Sequence, residues 1–176
     1  MPTLAESPKF AVLPARAGLA PKMPATIPHL QIDQLAPREM LDQLVRLGLQ
    51  LAFVDVRQSR MASADSRALF LPDEAALGPV EAFIDAHEFC HIHPASESSI
   101  HLTLPAHGRD EVVRLGWGVP HPLAEAGIIE NLMTIYAPRD LNEVDAVLQI
   151  IRTSYQFARG QWNRLAQPAA NGESGE

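Results

Sequence analysis

Disulfide chemistry is excluded at once, because the 176 residues contain one cysteine, Cys90. A lone thiol closes no intramolecular bridge and suits a reducing compartment. Set among isoleucine and leucine, it reads as a small buried hydrophobe and not as a nucleophile. Basic residues are also scarce: 14 Lys and Arg stand against 21 Asp and Glu, for a net charge of −7. Nucleic acid and anionic membrane would each require a basic face, so neither is expected as a partner. No apolar run approaches the roughly 18 residues of a membrane span. Pro2, Pro8, Pro14, Pro21, Pro24 and Pro28 break up the N-terminus, where a secretion signal would need an unbroken apolar stretch. A soluble, cytoplasmic protein is the expectation. Aromatic residues make up 6% of the chain, but 47% is hydrophobic, which suffices for an ordinary aliphatic core.

The length suits one domain. Residues 1–30 are proline-rich and aperiodic and read as an extended or disordered arm. Residues 166–176 read as a flexible tail, leaving 31–165 as the domain. A first helix is expected from Pro37, with an apolar stripe of Met40, Leu41, Leu44, Val45 and Leu47 and a stop at Gly48. Strands are expected at Leu51–Val56, Arg67–Leu71 and Leu132–Tyr136. Residues 73–86 are ambiguous, with Val80, Phe83 and Ile84 suited to a short helix, and 109–115 reads as another. The Gly- and Pro-rich segment 116–124 is expected to be irregular. A last helix opens on Asp140 with Glu143 three residues on, a capping-box pattern, and buries Val144, Val147, Leu148, Ile151, Tyr155 and Ala158. The fold class is therefore α+β: a mostly antiparallel sheet with helices packed on one face.

The densest chemical signal is Glu88–Thr103, EFCHIHPASESSIHLT. It reads as two strands joined by the turn Pro94–Ser98. Strand side chains alternate between faces. Cys90, Ile92, Ile100, Leu102 and Leu104 fall on one side; Phe89, His91, His93, Ser99, His101 and Thr103 fall on the other. In that register His91 opposes His101 and His93 opposes Ser99, with opposed Cβ atoms about 4.5–5.5 Å apart. Three imidazoles thus meet on one face, where they can serve as bases, acids, donors or metal ligands near neutral pH. His91, His93 and His101 are a plausible three-nitrogen metal set. A cupin-type site is disfavoured, since Glu97 falls in the turn and Asp85 stands where that motif has glycine. His29, His87 and His107 lack a comparable setting and read as surface residues.

An ordered set of motifs resembles the fungal luciferase family and its bacterial relatives. The set is His91-Ile92-His93, Ile100-His101-Leu102-Thr103-Leu104, Gly116-Trp117-Gly118 with His121-Pro122-Leu123-Ala124, and Tyr136-Ala137-Pro138-Arg139-Asp140. Arg67–Pro72 is a weaker fifth piece, and together they span about Arg67 to Phe157. The resemblance implies oxygenation of a hydroxylated α-pyrone, 3-hydroxyhispidin, through a cyclic peroxide that loses CO2. It implies molecular oxygen as co-substrate, no organic cofactor and a small-molecule substrate; a divalent metal ion is the alternative that the histidine set itself leaves open. The chain departs from the fungal pattern in lacking an N-terminal membrane segment and in a shorter stretch at 125–135.

Such chemistry needs a base to form an electron-rich enolate and donors to hold a peroxide anion. His91, His93, His101 and His121 are the expected catalytic residues; for the first three, metal binding and then a structural role are the lesser alternatives. Trp117 could wall a flat substrate or anchor the core. Tyr136 and Arg139 could bind an anionic enolate, or Arg139 could tie down the last helix through Asp140 or Glu143.

Overall fold

The computed structural model describes residues 13–162. Six antiparallel strands form one sheet in the order β1-β2-β3-β4-β6-β5. The strands are β1 (Asp55–Gln58), β2 (Arg67–Phe70), β3 (Glu88–Ile92), β4 (Ser99–Thr103), β5 (Gly118–Pro120) and β6 (Leu132–Tyr136). The helices are α1 (Arg38–Gly48), α2 (Ala106–Arg114), α3 (Pro122–Glu125) and α4 (Leu141–Ala158). Val80–Ala82 makes one 3-10 turn in the ambiguous segment. The architecture is α+β, as expected. Among the described residues no helix is long and apolar enough to cross a membrane.

The core lies between the sheet and its helices. Cys90, Ile92, Ile100, Leu102, Met133 and Ile135 point from the central strands into a cluster with Leu41, Leu44 and Val45 of α1 and Val144, Val147 and Ile151 of α4. Asp140 caps α4, its carboxylate accepting the Glu143 N–H at 2.9 Å. The reciprocal half of the box is displaced by one residue: Glu143 accepts the Arg139 N–H at 2.8 Å.

Three expectations need correction. The segment 51–54 turns instead of extending, because Leu51 and Val54 amides bond back to Gly48 and Leu51 carbonyls and Phe53 takes φ 67°. The strand therefore begins only at Asp55. The Gly- and Pro-rich segment is regular: Gly118–Pro120 forms the edge strand β5, where Pro120 costs little in a missing donor, and Pro122 opens the one-turn α3. Gly118 is required there, since a Cβ would lie 2.4 Å from the Thr134 carbonyl oxygen. Finally, Phe89 is not on the histidine face. Leu69 pairs with Cys90 but Phe70 pairs with Glu88, so Phe89 is the extra residue of a bulge. Phe89 and Cys90 both enter the core, and Glu88 swings to the histidine side.

Residues 13–36 have no regular structure before α1 and pack over the other sheet face. The Gln31 amide donates to Ser99 Oγ at 3.1 Å, and Gln31 Oε1 accepts the Ala137 N–H at 2.7 Å. Ser98 Oγ accepts the Ala36 N–H at 2.9 Å. Farther up, Trp117 Nε1 donates to the Pro14 carbonyl at 2.6 Å. The expected tail, 166–176, and the first part of the expected arm lie outside the described residues.

Candidate functional site

The β3–β4 hairpin has the register its turn dictates: Cys90 opposes Leu102, His91 opposes His101 and Ile92 opposes Ile100. His93 continues the pairing through its N–H to the Ser99 carbonyl at 3.0 Å. Pro94–Ser98 closes the turn, with Glu97 and Ser98 amides bonded to the Pro94 carbonyl. Consequently the His91, His93 and His101 rings gather with centroids 4.7–5.0 Å apart, and all three are buried. His121 joins from the N-cap of α3, its ring edge-on to His101 at 4.6 Å.

Each hairpin imidazole is held on its outer side by an acceptor. His91 Nδ1 donates to Glu88 Oε1 at 2.6 Å, and Ser59 Oγ donates to both oxygens of that fully buried carboxylate at 2.9 and 3.0 Å. His93 Nδ1 donates to Glu97 Oε2 at 2.7 Å, with Ser66 Oγ at 3.2 Å. His101 Nε2 donates to the His29 carbonyl at 3.2 Å. The inner nitrogens converge: His101 Nδ1 lies 3.1 Å from His91 Nε2 and 3.4 Å from His93 Nε2. Among the described residues, His91, His93 and His101 form the group that could hold a metal ion, with ligand atoms all within 4.8 Å of one another. His121 is oriented differently. Its Nδ1 accepts the Leu123 N–H at 3.1 Å, so in the neutral ring Nε2 carries the proton and is a donor.

Electrostatics keep much of this cluster uncharged. Burial, then the neighbouring His91, lowers the His93 pKa to about 4. Burial and nearby histidines lower His121 to about 4 as well, and the same causes push His101 well below its ordinary value. These imidazoles are neutral at pH 7, as a base or a ligand must be.

His29 is not the surface residue expected. It is buried, packs edge-on to His121 at 5.5 Å, and supplies the carbonyl that orients His101. Its ring nitrogens are buried without a hydrogen-bond partner among the described residues. Burial lowers its pKa; the Pro24 carbonyl opposes that shift without reaching hydrogen-bond geometry. Thr134, opposite His101 on β6, also has a buried hydroxyl with no partner. No sequence signal marks His29, because its contacts cross from a distant aperiodic segment. Glu88 and Ser59 escape because a bulge brings the carboxylate round.

Trp117 and Arg139 each take the second of the two roles left open by the sequence. Trp117 is a buried core residue whose indole N–H is taken by the Pro14 carbonyl, so it anchors the fold. Arg139 is committed to Glu143 through Nε at 2.9 Å and Nη2, and to the Ala17 carbonyl at 2.8 Å. It fixes the start of α4. Tyr136 does lie on the histidine side of β6, paired with Ser99, and the Arg16 guanidinium sits 5.3 Å above its ring.

Residues 86–154 match the model of the Luciferase domain, a segment that begins before the histidine hairpin and ends within α4. Over that segment the chain is similar to the Luciferase domain. It is similar to a luciferase of Neonothopanus nambi, 29% identical over 166 residues that cover 84% of this chain and 61% of the fungal protein. It is also similar to the luciferases of Armillaria gallica and Armillaria mellea, 40% identical over 73 residues, or 40% of this chain and 27% of each relative. The chain therefore spans less than two thirds of the length of the fungal luciferases it matches. No solved structure matches it. The luciferase-domain segment contains His91, His93, His101 and His121, while Glu88's partner Ser59 and the covering His29 come from outside it.

Proposed function

We propose that this chain is a luciferase-like oxygenase that takes a small, flat, enolisable molecule of the hydroxy-pyrone type at the histidine face. One observation carries the reading: the luciferase-domain segment centres on buried imidazoles fixed by Glu88, Glu97 and the His29 carbonyl. A neutral imidazole can accept the enol proton and leave an enolate that reacts with O2. His121 Nε2–H and the unpaired Thr134 hydroxyl are suited to hold the developing peroxide oxygen. The reactivity toward oxygen resides in the substrate; the protein contributes orientation and a fixed field.

The test is oxygen uptake and photon emission by the purified chain with 3-hydroxyhispidin. The expected result is uptake that His101→Ala reduces at least about 100-fold, the range for loss of a positioned acid or base. Retention of the compound without uptake would make the chain a binding module, and full turnover in His101→Ala would remove that residue from the chemistry.

A further inference from the structure

The outer N–H bonds of the hairpin histidines leave a problem at the centre. A backbone carbonyl only accepts, so His101 Nε2 must carry the proton that reaches His29. The carboxylates of Glu88 and Glu97 likewise take the Nδ1 protons of His91 and His93. Every neutral ring has then used its single N–H outward. Three lone pairs, on His91 Nε2, His93 Nε2 and His101 Nδ1, face one another across 3.1 and 3.4 Å. Lone pairs at that distance repel unless a positive charge lies between them.

We infer that His91 Nε2, His93 Nε2 and His101 Nδ1 form a three-histidine site for a divalent transition-metal ion. The spacings from His101 Nδ1 to the other two nitrogens agree with this: a tetrahedral ion with metal–nitrogen bonds of about 2.0–2.1 Å sets its ligands about 3.3–3.4 Å apart. The donor type agrees also, since imidazole suits zinc, iron, nickel and copper. The outer shell has the form found around ligating histidines, where each second nitrogen donates to a carboxylate or a carbonyl. Three protein ligands leave a position open, as in catalytic rather than structural sites. The buried charge balance fits, because Glu88 sits fully buried behind His91 with no arginine or lysine among its hydrogen-bond partners. This inference goes beyond the oxygenase reading and stands on hydrogen-bond geometry alone. The competing arrangement places one extra proton in the cluster and needs no ion.

The experiment is a Co2+ titration of the untagged full chain after chelation, followed by visible absorption and thermal melting. One equivalent of Co2+, a ligand-field spectrum and a rise in Tm are expected. His101→Gln should abolish the spectrum. Glu97→Ala, at a partly exposed carboxylate, should keep the fold and weaken binding about 10–100-fold. His107→Ala, at an exposed residue of α2, should bind as the parent does. A folded parent chain that takes up no Co2+, or a folded His101→Gln chain that binds it unchanged, overturns the metal site. Oxygen uptake distinguishes the two proposals: uptake that survives chelation with no Co2+ binding leaves the oxygenase standing without a metal, and Co2+ binding without uptake does the reverse.

Discussion

A buried carboxylate beside a buried imidazole fixes more than a pair of charges. Glu88 collects three hydrogen bonds, from His91 and from Ser59 twice, so its removal strands several donors in the interior. Leaving a buried donor unsatisfied costs about 1–3 kcal/mol. Glu88→Ala should therefore lower stability by at least about 2 kcal/mol in urea unfolding, well above the cost of an ordinary surface change. The lowered histidine pKa values give a second prediction. In the metal-free chain His93 and His121 titrate near 4, against 6.5 in the unfolded state. As pH falls below 6.5 the unfolded chain takes up protons that the folded chain refuses, so stability is lost from about pH 6.5 down to 4 and is flat with respect to these groups above 6.5. The urea midpoint should be lower at pH 5.0 than at pH 7.5, and His121→Gln should flatten the slope between them. An equal slope in that variant would place the titration elsewhere.

At the scale of elements, the hairpin shows how much of the site was legible. The turn Pro94–Ser98 and the alternation on either side fix the His91–His101 register, because slipping one residue would turn Ile92, Ile100 and Leu102 out of the core. Alternation fails at Phe89, where a two-against-one bulge puts consecutive residues on the same side, and nothing local announces it. It fails again at β5, where glycine and proline suggest a loop but serve an edge strand that approaches β6 closely. A methyl group at Gly118 would collide with the Thr134 carbonyl oxygen. Gly118→Ala should therefore separate β5 from β6 and move His121, which follows β5 directly. We expect a loss of at least about 2 kcal/mol, together with faster amide exchange at His121, whose N–H bonds to the Leu132 carbonyl. Unchanged exchange there would mean that the edge pairing tolerates the methyl.

At the scale of the whole molecule, the sheet is covered twice: by helices on the apolar side and by residues 13–36 on the histidine side. The second cover was invisible in the sequence because it has no period, and its contacts are made by single polar side chains at long range. Gln31 is the main fastening, bridging Ser99 on β4 and Ala137 after β6. Gln31→Ala should strip the Ala137 amide of its acceptor and loosen the strap. The expected outcome is faster hydrogen exchange at Ala137, with the β3–β4 amides still protected.

The strap also sets an order of events. The two hairpin histidines that face each other are separated by 10 residues, whereas Gln31 must find Ser99 and Ala137, 68 and 106 residues downstream. Nearby pairings close quickly and distant ones slowly. During synthesis this segment leaves the ribosome before the sheet it covers, and its last fastening waits until β6 and Ala137 have been made. A nascent chain halted before Ala137 holds every partner of residues 29–36 on the hairpin but lacks the second anchor of Gln31.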